Sequence, residues 1–187
     1  APPAAPAQQT LHFEGTGPTV FALEGLITRA AAVTLTHDGS RNFIVTAFDA
    51  AGARDGGVAN EIGPFAGTVM LDTSDLDGDP PASMEVQADG NWSIDINAAT
   101  AAPAWDGVSP LTGAGKQVYS VPAKTKAQRV TLTHDGTRNF IVSAYTTGRF
   151  SSGLVNEIGP YNGQKMMAKD VYLVAVQADG NWSITPG

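Results

Sequence analysis

Val33-Thr34-Leu35-Thr36-His37-Asp38-Gly39-Ser40-Arg41-Asn42-Phe43-Ile44-Val45-Thr46-Ala47 returns almost unchanged as Val130 to Ala144. Over these 15 paired positions two differ, Ser40 against Thr137 and Thr46 against Ser143. The chain is therefore a tandem duplication. Within the stretch, Val33 and Leu35 point one way and Thr34 and Thr36 the other. That is the period-two alternation of a half-buried strand. Asp38-Gly39 is a turn dipeptide, and Phe43-Ile44-Val45 resumes the apolar run, so the local pattern predicts a β-hairpin.

The repeat extends on both sides. Upstream, Gly15-Thr16-Gly17 precedes the apolar run Val20-Phe21-Ala22-Leu23, and Gly113-Ala114-Gly115 precedes Val118-Tyr119-Ser120-Val121. Downstream, Asn60-Glu61-Ile62-Gly63-Pro64-Phe65 matches Asn156-Glu157-Ile158-Gly159-Pro160-Tyr161. The Gly-Pro pair ends a strand and sets an aromatic just past a turn. A third block, Val86-Gln87-Ala88-Asp89-Gly90-Asn91-Trp92-Ser93-Ile94, recurs without change from Val176 to Ile184. Trp92 and Ile94 share one face, as do Trp182 and Ile184, and the two tryptophans are the expected core anchors.

The spacing between copies is 97 at Val33, 96 at Asn60 and 90 at Gln87, so the first copy carries six extra residues between its second and third blocks. They fall within Asp72-Thr73-Ser74-Asp75-Leu76-Asp77-Gly78-Asp79-Pro80-Pro81, the most acidic run in the chain. The expected organisation is a flexible Ala/Pro-rich leader over 1–10, a first repeat over 11–99, a connector over 100–110 and a second repeat over 111–187. Neither copy has a helical pattern, and turn signals recur about every 8–12 residues, the spacing of sandwiches. The fold class expected is all-β: two tandem antiparallel β-sandwich domains, jelly-roll-like.

Bulk properties exclude several classes. The chain has 187 residues, 42% hydrophobic and 16% charged, enough for packed cores and too little charge for a disordered chain. Its net charge of −7 opposes nucleic acid as a partner, and no Lys/Arg cluster serves anionic lipid. There is no cysteine, hence no disulfide, thiolate metal site or cysteine nucleophile. No apolar run approaches the roughly 20 residues of a membrane-spanning helix. The opening Ala1-Pro2-Pro3-Ala4-Ala5-Pro6-Ala7-Gln8-Gln9 reads like a mature end left by signal-peptide cleavage, so the expected location is secreted, extracellular.

The pattern Asn-Phe-Ile-Val, then Asn-Glu-Ile-Gly-Pro-aromatic-x-Gly, then Val-Gln-Ala-Asp-Gly-Asn-Trp-Ser-Ile resembles a β-sandwich repeat of secreted bacterial proteins, often actinobacterial. More loosely it is similar to the pre-peptidase C-terminal type of jelly roll. That resemblance implies a β-sandwich, a binding role beside secreted enzymes and, in some members, calcium binding. It assigns no functional residue.

The chemistry candidates each carry a structural alternative. His37-Asp38 with Ser40, and His134-Asp135 in the second copy, have the residue types of a hydrolytic centre. Neighbours on one turn do not converge as triad partners must, so the turn reading is preferred. Arg41, Glu61, Arg138 and Glu157 are charges inside repeated blocks, readable as ligand contacts or as ion pairs between loops. Asp75, Asp77 and Asp79 alternate around Gly78 and resemble the start of a Ca2+ loop, the one cofactor the sequence offers. The distal glutamate of an EF-hand is missing and Pro80-Pro81 interrupts the run, so a solvated turn fits the same residues. Asn91-Trp92-Ser93 and Asn181-Trp182-Ser183 match the glycosylation sequon, but a tight turn needs the same asparagine. Trp105, outside both repeats, is either an exposed aromatic platform or a staple between sandwiches.

The expected function is a non-enzymatic binding protein for an extracellular carbohydrate or protein, its duplicated scaffold suiting bivalent contact. The competing expectation is an inhibitor of a secreted hydrolase or protease, presenting residues 72–81 or the Phe150-Ser151-Ser152-Gly153 region to a cleft. A glycoside hydrolase ranks last, because one run of aspartates does not place two carboxylates across a cleft.

Overall fold

A computed structural model of the chain describes residues 10–23, 25–27, 30–71, 81–122, 125–146 and 151–187. The chain divides into two compact units, the main division falling between Ala98 and Ala99, with Gly67–Val69 grouped with the second. The first contains β1 (Leu11–Thr16), β2 (Thr19–Ala22), β3 (Ala31–His37), β4 (Asn42–Phe48), β5 (Arg54–Ile62), β6 (Phe65–Leu71), β7 (Ser83–Gln87) and β8 (Asn91–Ala98). They form two four-stranded sheets, ordered β1-β8-β3-β6 and β2-β7-β4-β5. Consecutive strands change sheet at every step except β4 to β5. That winding is a jelly roll, and the expected sandwich architecture is what the chain adopts.

The second unit repeats it. A 3-10 turn (Ala99–Ala101) leads into β9 (Leu111–Ala114), β10 (Gln117–Ser120), β11 (Gln128–His134), β12 (Asn139–Thr146), β13 (Ser151–Ile158), β14 (Tyr161–Met167), β15 (Val171–Gln177) and β16 (Asn181–Pro186). Its sheets are β9-β16-β11-β14 and β10-β15-β12-β13.

The predicted Asp-Gly hairpins are not hairpins. β3 pairs with β8, whereas β4 pairs with β5 and β7, so Asp38-Gly39 carries the chain from one sheet to the other. Asp89-Gly90 does the same between β7 and β8. Neither Gly39 nor Gly90 has the left-handed φ that a two-residue primed turn requires. The strands on either side of each corner lie in facing sheets and turn their apolar residues to the same interior.

Alternation fills the interior. Val33, Leu35, Phe43, Val45, Met84, Val86, Ile94 and Ile96 are fully buried in the first unit, and Trp92 is 5% exposed. Phe13 on β1 stacks on Phe21 on β2 at 4.1 Å, bridging the two sheets, and Phe21 in turn stacks beside Trp92 at 6.1 Å. In the second unit Val130, Leu132, Phe140, Val142, Val174, Val176, Trp182 and Ile184 form one buried cluster. Burial of each large side chain contributes about 1.5–3 kcal/mol.

Residues 100–110, read from sequence as a connector, are built into the second unit. Trp105 is 4% exposed and belongs to that unit's core cluster. Its indole N–H donates to the Ser109 carbonyl at 2.8 Å. An aromatic of that size gains too much by burial to stand free, so Trp105 is not an exposed platform.

Replacing Trp92 or Trp182 with alanine should cost about 3–5 kcal/mol, since each change opens a cavity and strips a hydrogen bond. Urea unfolding measures it, with an earlier midpoint expected at an unchanged slope. A midpoint that barely moves would refute the anchor role.

Candidate functional site

All three repeated blocks and the upstream glycines meet at one end of each sandwich. There the corners are laced by two aspartates in a reciprocal clasp. Asp38 Oδ1 accepts the Asn91 backbone N–H at 2.7 Å, and its Oδ2 accepts the Asn91 side-chain amide at 2.8 Å. Asp89 in the facing corner accepts the backbone N–H groups of Ser40 and Arg41, both at 3.1 Å, and the Ser40 hydroxyl at 3.2 Å. In the second unit Asp135 holds Asn181, and Asp179 holds Thr137 and Arg138, with matching distances. Thr137 keeps the hydroxyl bond to Asp179, so the Ser40/Thr137 difference preserves the contact. A Cβ on Gly39 would collide with Asp89 and His37, and one on Gly90 with Asp38 and the Gly39 backbone. Close approach, not φ, is what demands glycine here.

The other corners join the clasp. Gly63 N–H donates to the Arg41 carbonyl at 2.8 Å from a left-handed φ of 85°. Gly17 N–H donates to Gly90 O at 3.0 Å, and the Trp92 indole donates to Gly17 O at 2.9 Å. His37 Nδ1 donates to Gly63 O at 3.0 Å, and its ring stacks on Phe43 at 4.6 Å. A carbonyl only accepts, so Nδ1 carries the proton. Nε2 is buried without a hydrogen-bond partner, 3.4 Å from Asp89 Oδ1. His134 repeats this with Gly159, Phe140 and Asp179. The histidine, aspartate and serine of the opening stretch therefore diverge: His37 faces Gly63, Asp38 faces Asn91, and Ser40 faces Asp89. The sequon asparagines are clasp residues.

The clasp shapes the carboxylate charges. The Asn91 side-chain amide, then its backbone N–H, hold Asp38 below the usual carboxylate range. Asn181 does the same to Asp135. Burial pushes Asp89 up, but the N–H groups of Arg41 and Ser40 with the Ser40 hydroxyl outweigh it and leave a lowered value. Asp179 follows suit, with Thr137 and Arg138 outweighing burial.

Beside the clasp, the outer face of the β2-β7-β4-β5 sheet carries an open groove of about 820 Å3. Arg41, Asn42, Ile62, Glu85 and Gln87 line it, with the corner residues Pro18, Ser40, Ala88 and Asp89 at its end. Register explains the set. Asn42 pairs with Ile62 and Ile44 with Gln87, so alternation sends Asn42 and Gln87 outward while Phe43 and Val86 go to the core. Ile62 is 74% exposed, and its counterpart Ile158 is 79% exposed. Arg138, Asn139 and Gln177 hold the matching positions in the second unit.

Of the residues expected from sequence, Arg41 lines this groove. Glu61 and Glu157 pair in register with Phe43 and Phe140, on the other side of their strands from Ile62 and Ile158. Asp75, Asp77 and Asp79 lie outside the described residues, as do 72–80 and Phe150. Ser151 opens β13 and so belongs to a strand. Among the described residues no three metal-ligating side chains come together. Sequence reading did not single out Asn42, Ile62, Glu85 or Gln87. The signal for three of them was present, since Asn42, Ile62 and Gln87 sit in repeated blocks at positions out of phase with the core.

No family model matches the chain, and no curated protein does. Among solved structures, it is similar to the regulatory subunit of a cAMP-independent protein kinase A from Trypanosoma cruzi bound to guanosine. That match has 8% identity over 95% of this chain and 72% of that one, at a TM-score of 0.26. At that score the likeness bears on neither fold nor function.

The lowered values of Asp38, Asp89, Asp135 and Asp179 fix the sign of a pH effect. The native state binds fewer protons than the unfolded chain, so their contribution is full above the ordinary carboxylate value of about 4. It declines as pH falls through the lower folded values. Thermal melts from neutral to strongly acid pH should show this loss, and Asp89→Asn with Asp179→Asn should flatten it. Gly39→Ala should lower the melting temperature at every pH.

Proposed function

We propose that this chain is an exported, non-enzymatic binding protein for an extracellular carbohydrate or protein, and that it recognises its ligand on the outer face of the β2-β7-β4-β5 sheet. The observation that carries this reading is the pair Ile62 and Ile158. Each is a large apolar side chain, 74% and 79% exposed, directly before the corner glycine Gly63 or Gly159. Burial cannot explain an isoleucine that both copies leave in water. Contact with a ligand can, and exposed apolar groups rimmed by polar ones mark such surfaces.

Around Ile62 stand a guanidinium from Arg41, amides from Asn42 and Gln87, and a carboxylate from Glu85. Gln87 Nε2 donates to Glu85 Oε1 at 2.9 Å, which orients both ends for a ligand. That mixture of fixed donors and acceptors suits hydroxyls or peptide groups, and Arg41 suits a planar acceptor. The clasp gives the face its rigidity, because Arg41 N–H is held by Asp89 and Arg41 O by Gly63.

The test is retention on insoluble polysaccharides, cell-wall fractions and exported proteins. Arg41→Ala should weaken whichever interaction is found by roughly 10–100-fold, the loss of a charged hydrogen bond of about 1.5–3 kcal/mol. Ile62→Ser should weaken it as well without altering the melting temperature. Retention untouched by both changes would move the site elsewhere.

A further inference from the structure

Among the described residues the two units differ at the outward edge of one sheet, and the difference specifies a ligand class. In the second unit that edge is β10, and the chain's own Ala102-Pro103-Ala104-Trp105 lies along it. Ala104 forms a parallel bridge with Ser120. Ser120 N–H donates to Pro103 O at 3.0 Å, Trp105 N–H donates to Ser120 O at 2.8 Å, and the Ser120 hydroxyl donates to Ala102 O at 2.8 Å. The 3-10 turn packs on β10 and β15 just upstream. On this edge Val118, on the same face as Ser120, is 2% exposed, and Leu173, the register partner of Ser120, is fully buried.

The counterpart in the first unit is β2. Its register on β7 matches that of β10 on β15, so Ala22 stands for Ser120 and Val20 for Val118. Leu23 N–H points inward to Ala82 O at 2.7 Å. Alternation therefore turns the N–H and C=O groups of Ala22 and Val20 away from the sheet. Among the described residues, β2 is an edge strand with nothing beyond it. Val20 is 66% exposed where Val118 is 2% exposed. Ser83 and Glu85 replace Leu173 and Ala175, so the neighbouring face has become polar and runs into the Arg41 groove.

We propose that β2 accepts an extended, small-residue and proline-containing peptide segment of a protein partner as an added parallel strand. The segment would cover Val20 and lie against Glu85, as Ala102–Trp105 covers the twin edge. This rests on the reading of the outer face as a ligand surface, and it selects protein over carbohydrate. Main-chain hydrogen bonds to Ala22 and Val20 supply the affinity, and the adjoining groove supplies selectivity.

The probe is a synthetic peptide with the sequence of residues 98–106, end-capped, added to the full chain. Hydrogen exchange should slow at the amides of Val20 and Ala22, leaving those of Val118 and Ser120 as they were. Ala22→Pro removes an N–H that makes no bond within the sheet, a change edge strands tolerate. It should weaken peptide binding on the order of tenfold or more. No protection at Val20 and Ala22 in the unaltered chain overturns the proposal, whether or not Ala22→Pro folds. So does peptide binding that survives Ala22→Pro. If a polysaccharide is retained through Arg41 while the peptide is ignored, the ligand face stands and the added strand falls. If neither Arg41→Ala nor Ala22→Pro affects any interaction, both fall.

Discussion

The structure depends on carboxylates that accept backbone N–H groups across facing corners. A jelly roll sends its strands back and forth between two sheets, and each crossing leaves main-chain donors outside any ladder. Next to a dry core such donors need partners. Here each corner supplies the other's acceptor: Asp38 satisfies the turn at Asn91, and Asp89 satisfies the turn at Ser40 and Arg41. Charged acceptors make these bonds stronger than neutral ones. The remaining choices follow. The corners approach so closely that only glycine fits at 39 and 90. His37 fills the space below, stacks on Phe43 and holds the Gly63 carbonyl. Gly63 in turn holds Arg41.

This explains why the duplication is so uneven. Residues of the clasp are kept almost letter for letter, because changing one disturbs several partners, whereas core positions outside the repeated blocks vary, as Phe13 against Leu111, Phe21 against Tyr119 and Met84 against Val174. Outward-facing positions outside the blocks vary in polarity as well. Leu173 and Ala175 against Ser83 and Glu85 is the clearest case, and it coincides with a change in what lies over the sheet. Inside the blocks, Asn42, Ile62 and Gln87 keep their counterparts Asn139, Ile158 and Gln177 while facing out, as Thr34, Thr36 and Ser93 keep Thr131, Thr133 and Ser183.

Much of the fold was legible because alternation and repetition are local signals. Val33, Leu35, Trp92 and Ile94 announced buried faces, and the unbroken turn spacing announced a sandwich. The corners were misread because Asp-Gly between two strands is written alike for a hairpin and for an arch. The alternation does exclude the tightest hairpin. A two-residue hairpin at Asp38-Gly39 would set Leu35 opposite Asn42 and Thr34 opposite Phe43. At Asp89-Gly90 it would set Val86 opposite Ser93 and Glu85 opposite Ile94. Directly opposed residues share a face, so each hairpin would mix core and solvent positions. A three-residue loop at either place would restore the match, so the alternation alone does not separate a hairpin from an arch, and the pairing of β3 with β8 and of β4 with β5 and β7 decides it. The site was less legible. Arg41 stood out by its charge, but Ile62 looks like any strand isoleucine until the register shows which way it faces.

Trp105 carries the last step. In sequence it was an orphan aromatic in an Ala/Pro-rich stretch. In the fold it is the anchor that fixes an extended segment against β10, so the second unit closes its own sheet edge. A free edge strand invites other chains to pair with it, and proteins ordinarily blunt such edges. Among the described residues a segment lies along the β10 edge, which shows that this edge geometry can receive a strand. The segment Ala102–Trp105 is in effect a ligand of the second unit covalently tied to it. The first unit retains the same backbone register on β2, an exposed Val20 and a polar groove alongside. Among the described residues, then, the two units share one corner clasp and differ in whether a segment of the chain lies along this edge.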